Sequence, residues 1–149
     1  MRRLSLIVAC LLWFVGILPG FAQNKPPADP ATVKYDDASR VKLNGVVDDI
    51  EERSLGGGCK APGVFVIVKA DGKNIALQVG PKWFVDELSW KFSKGDKLDI
   101  VGWKTGSDDS SDIVVRKITH GEWIMEPRDD SGGANWLWMP APKDSGKCK

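Results

Sequence analysis

The side chains with chemistry to offer are few and unevenly placed. Six tryptophans, Trp83, Trp90, Trp103, Trp123, Trp136 and Trp138, crowd the last two-thirds of a 149-residue chain with one histidine and three cysteines. Aromatics at that density stack bases or sugars, or they fill a small core. The lone imidazole, His120, sits in Thr119-His120-Gly121-Glu122. A general base needs a nucleophile beside it, and no Ser or Cys occupies a recognisable elbow there, so His120 reads as a turn histidine. Zinc lacks ligands. Two acidic clusters, Asp48, Asp49, Glu51 and Glu52, and Asp108, Asp109 and Asp112, lack the alternating oxygens, glycine turn and distal glutamate that hold Ca²⁺. The sequence predicts no catalytic residue, no metal and no cofactor.

Two readings of the aromatics remain. In one, Phe65 and Ile67 on the outer face of a strand, with Lys69, Gln78, Trp103 and Lys104, form a surface for an oligosaccharide or a single-stranded nucleic acid. In the other, Trp83 plugs the fold together with a helix, and Trp103 and Trp123 cover its rim. The stretch from Glu122 to Trp138 then wraps the outer face. The second is favoured, because an exposed Phe-Ile patch is a liability. Nucleic acid is disfavoured by charge: without Arg2 and Arg3 the chain carries 19 basic against 20 acidic groups, and phosphate neutralisation supplies most of such binding.

Residues 1–22 read as an export signal, with a basic start, an apolar run from Leu4 to Phe21, and small residues at Gly20 and Ala22 before Gln23. The alternative is a retained membrane anchor. Pro19 and Gly20 favour cleavage, which discards Cys10 and leaves a periplasmic or secreted chain. Cys59 and Cys148 then meet an oxidising space and are expected to pair. A reactive thiol or a metal pair is the alternative, and a dimer bridged through Cys148 a further one.

The elements follow from periodicity. Residues 23–39 read as an extended linker, 40–138 as the folded domain and 139–149 as a tail mobile apart from Cys148. Alternation predicts strands at Val41–Val47, Val64–Val68, Ile75–Val79, Leu98–Gly102 and Ile113–Ile118. Asp71-Gly72 makes a tight hairpin turn. Pro81 opens a short amphipathic helix over 82–92, with Phe84, Leu88 and Phe92 on one face. The acidic-to-glycine stretch 48–63 reads as a long loop. Three strands, a helix and two strands in about eighty residues predict an all-β domain, a five-stranded OB-fold-like β-barrel with a possible extra C-terminal strand or hairpin. A small β-sandwich is the rival, and it leaves the helix unexplained.

A longer pattern supports the barrel. Gly80, Pro81 and Trp83, then Gly95 and Asp96, then Gly102, and finally Arg128, Asp129, Gly132 and Trp136 match a strand ending Gly-Pro-x-Trp, a Lys-Gly-Asp turn and a closing Arg-Asp-x-x-Gly. Over about 41–136 the chain resembles a recurrent exported bacterial OB-fold domain, and it is similar to the periplasmic bacterial OB-fold family of small stress-associated proteins. Pro127 and Asn135 depart from the pattern. The resemblance implies a non-enzymatic domain. The expectation is therefore an exported, soluble, monomeric binding or accessory module whose partner is an unknown protein or small ligand.

Overall fold

The computed structural model describes residues 33–107, 112–146 and 148. The expected export signal and Asp108 and Asp109 lie outside these residues. Among the described residues no helix is long and apolar enough to cross a membrane.

The described residues are all-β apart from short helical pieces. Its elements run β1 (Arg40–Ser54), β2 (Pro62–Ala70), β3 (Lys73–Pro81), α1 (Lys82–Glu87), β4 (Lys97–Lys104), β5 (Ile113–His120), β6 (Trp123–Met125) and a 3-10 turn (Asn135–Trp138). The six strands form one sheet in the order β3-β2-β1-β4-β5-β6, and β3 also pairs with β5. That extra pairing is parallel and short, joining Leu77 to Ile113 and Gln78 to Val114.

Alternation builds the core. Val64, Val66 and Val68 of β2 turn inward with Leu77 and Val79 of β3, Leu98 and Ile100 of β4, and Ile113, Val115 and Ile118 of β5. Phe84 and Val85 close this core from α1, and Trp136 packs against it from the 3-10 turn. Asp71 and Gly72 both take positive φ, 49° and 74°, so the β2–β3 turn has the twist that suits a two-residue hairpin.

Four expectations are corrected. The stretch 48–54 is not a loop: β1 runs on to Ser54, pairing Asp49 with Ile67 and Ser54 with Pro62 across a bulge at Asp48. Charge hid the strand, because its outward side chains face water while the backbone ladder continues. The helix ends at Glu87 instead of Phe92, since Ser89 takes φ 54°, which no α-helix accommodates. Leu88 is consequently exposed. Of the stretch 23–39 expected as an extended linker, 23–32 lie outside the described residues and 33–39 pack onto the domain: Val33 is buried and lies with Tyr35 against Trp103 and Val114. Finally, β6 pairs with β5 and Trp136 packs on Phe84, so residues 122–138 continue the sheet and cover the helix end instead of wrapping β2 and β3.

The Lys-Gly-Asp turn has a clear task. The Gly95 amide donates to the Val47 carbonyl at 2.8 Å and the Val47 amide to the Asp96 carbonyl at 2.9 Å, so the turn closes on the bulged part of β1. Asp48, displaced by the bulge, accepts from Lys69 at 3.1 Å and lies 3.3 Å from Lys94.

Candidate functional site, a cavity around a buried arginine

The residues 128–134 form a tight turn whose chemistry is local. Asp129 accepts from the amides of Ser131 and Gly133 through its carboxylate, both at 2.8 Å, and its own amide donates to the Gly133 carbonyl. These bonds hold its pKa below the usual carboxylate value, the Ser131 hydroxyl contributing most. Asp130 points the other way and accepts from Arg40 and Arg116, each at 2.9 Å. Gly132 has φ 86°, and a Cβ there would fall within the Tyr35 ring. Only glycine both adopts this backbone and leaves room for the phenol.

The turn drives Arg128 inward. Its residue is 2% exposed, and Nη1 donates to the carbonyls of Val115 at 3.0 Å, Val79 at 3.2 Å and Gln78 at 3.4 Å. These carbonyls belong to β5 and β3 at the end of their two-pair register and just beyond it, so the guanidinium clasps the short seam between the strands. Its plane also lies over Trp136, 4.7 Å from the ring centroid. Gly80 makes that stack possible, because a Cβ there would stand 3.0 Å from the Trp136 ring. Burial away from water pushes the Arg128 pKa down to about 10, partly opposed by Tyr35. Among the described residues no carboxylate forms an ion pair with it.

Arg128 lines a cavity of about 290 Å³ together with Tyr35, Leu55, Gly57, Ala134 and Trp136. The disulfide between Cys59 and Cys148, 89 residues apart, is present and forms part of the wall. It ties the tail to the glycine loop that follows β1.

The six residues expected to bind ligand are divided by the structure. Phe65 pairs with Gln78, Gln78 with Val114 and Val114 with Trp103, so these side chains share one row across the sheet. That row is withdrawn from solvent, contrary to an open stacking face: Phe65 is 0% exposed, and Gln78 and Trp103 are each 1% exposed. Arg53 lies over Phe65, while Tyr35 packs edge-on to Trp103 at 5.0 Å. Gln78 donates to the Leu55 carbonyl at 3.2 Å. The row thus supports Tyr35 and Leu55, two walls of the cavity. Ile67 is buried as well, Lys69 is engaged with Asp48, and Lys104 lines a different groove beside Lys34 and Asp36.

Trp123 does not cover a rim; it is 74% exposed and shares a groove with Leu88, Ser89, Trp90, Lys91 and His120. Among the described residues no group of three or more His, Cys, Asp or Glu is placed to hold a metal.

Sequence reasoning missed Tyr35 and the inward aim of Arg128. The available signal was the Arg-Asp-x-x-Gly pattern: an aspartate that caps a turn beside an arginine, followed by a glycine at the position of close approach.

A search of curated proteins and a search of solved structures each returned no match. A family model does match, over residues 39–125, more than half the chain and the whole of β1 to β6. Leu55, Gly57 and Cys59 fall within it, whereas Tyr35, Arg128 and Trp136 lie outside. On this match the chain belongs to the MamS/MamX magnetosome protein family.

Proposed function

We propose that the protein is an exported, non-enzymatic binding or accessory module of the magnetosome system, and that it acts through the Arg128 cavity. The observation that carries this reading is a buried Arg128 with no carboxylate partner among the described residues, lining a cavity walled by Tyr35, Leu55 and Trp136. Burying a charge without a counter-ion is costly even where carbonyls accept from it, and a site that gains on filling is a reason to keep one. The pairing circuit β1-β2-β3-β5-β4-β1 supports a closed OB-type barrel, with Arg128 as the clasp of its weakest seam. Export accords with the cysteine pair, which persists as a disulfide only in an oxidising compartment.

The family's printed description brings the magnetosome into the proposal. An oligosaccharide or nucleic acid stacked on the outer aromatics is the weaker reading, since Phe65 and Trp103 are covered. The test is a fragment screen by two-dimensional NMR, using neutral, cationic and anionic compounds. Shifts centred on Tyr35, Ala134 and the Trp136 indole are expected. Shifts confined to other surfaces, or none, refute the cavity as the site.

A further inference from the structure

We infer that the Arg128 cavity takes a small monocarboxylate with an apolar body, an inference that rests on the cavity being the binding site. The first argument is a charge count. Of the cavity's described lining residues only Arg128 carries a formal charge, so a single negative charge neutralises that set, while a dianion such as phosphate would leave a buried excess.

The second argument concerns the carboxylates nearby. Asp129 is occupied in capping its own turn, Asp130 is held by Arg40 and Arg116, and Glu126 is paired with Arg116. The chain thus surrounds Arg128 with acids in sequence and turns each of them elsewhere. The counter-ion position is left for something that is not part of the described fold. A third argument is the walls: Leu55, Ala134, Trp136 and Leu137 offer apolar surface, which a hydrated inorganic ion does not use and a short alkyl or aryl chain does.

The experiment titrates the full exported chain with hexanoate, hexanol, hexylamine and inorganic phosphate, following the Trp136 indole N–H and the Tyr35 ring by NMR. Hexanoate is expected to shift both saturably and to bind at least about tenfold more tightly than hexanol, the ratio one charge-assisted hydrogen bond supplies. Phosphate and hexylamine are expected to leave Trp136 unmoved. Because Arg128 substitutions also loosen the seam, Ala134→Leu is the second variant: it retains the guanidinium, reduces the cavity, and should weaken hexanoate at least about tenfold. Equal binding of hexanol and hexanoate overturns the carboxylate and leaves the cavity standing. Phosphate matching hexanoate overturns the monoanion argument. Silence from all four probes, with no fragment found either, removes the cavity itself, and undiminished binding in Ala134→Leu places hexanoate elsewhere.

Discussion

Replacing Arg128 with methionine separates the guanidinium from the volume it fills. Nη1 carries two hydrogens, so its three carbonyl contacts at 3.0, 3.2 and 3.4 Å amount to two good bonds and one shared. Charge-assisted bonds contribute about 1.5–3 kcal/mol each, so their loss costs roughly 3–6 kcal/mol. Losing the stack on Trp136 adds about 1–2 kcal/mol. Against this, burial lowers the Arg128 pKa from 12.5 to about 10, and relief of that desolvation returns about 3 kcal/mol. The net expectation for Arg128→Met is destabilisation of about 3 kcal/mol, read as a lower urea midpoint at unchanged slope. A fall of roughly 10–20 °C in Tm accompanies it for a domain of this size. A variant as stable as the parent would show that the seam between β3 and β5 needs no clasp, and the account of the closing turn would fail.

Gly132→Ala should cost about 2–4 kcal/mol, because the residue must both adopt positive φ and displace Tyr35; calorimetry showing a change below about 0.5 kcal/mol would place Tyr35 elsewhere. Cys59→Ser should lower stability by less than the roughly 4–5 kcal/mol that chain entropy gives for a loop of 89 residues. Cys148 sits on a tail that a folded but reduced chain also releases. Thiol labelling of unreduced exported protein should find no free cysteine, and one reactive thiol per chain contradicts the pairing. Asp36, Asp48, Asp129 and Asp130 all have pKa values lowered in the fold. Their stabilisation is present above the ordinary value of 3.8 and is lost as pH falls through the lower folded values. The urea midpoint should therefore begin to drop as pH falls towards 3.8 and go on dropping below it; a flat profile would deny that these bonds persist in solution.

What the sequence disclosed was whatever is decided locally. The β2–β3 hairpin follows from Asp71-Gly72, a turn whose conformation two residues specify, and the inward valines of β2 follow from strict alternation. The end of β1 is hidden in the sequence because Asp48, Asp49, Glu51 and Glu52 have the composition of a loop. Their outward direction is set by pairing with β2, which no local pattern reports. Val33 and Tyr35 sit behind prolines and read as linker, yet the sheet buries them because Trp103 and Val114 need a cover. Phe65, Gln78 and Trp103 share a row across the sheet, but their burial depends on Arg53 and Tyr35 arriving from distant positions. Arg128 was visible only as part of a pattern. Its inward aim depends on a seam between strands 36 positions apart in their register, Leu77 with Ile113.

Side-chain nitrogen NMR of the arginines tests most directly whether Arg128 is a buried cation held by backbone carbonyls at the edge of a ligand cavity. The account predicts one guanidinium whose Nη protons exchange slowly and whose rotation is hindered, assigned to Arg128 by its loss in Arg128→Met, and whose resonances move on adding hexanoate. An Arg128 signal with the fast exchange and free rotation of a solvent-exposed arginine would contradict it.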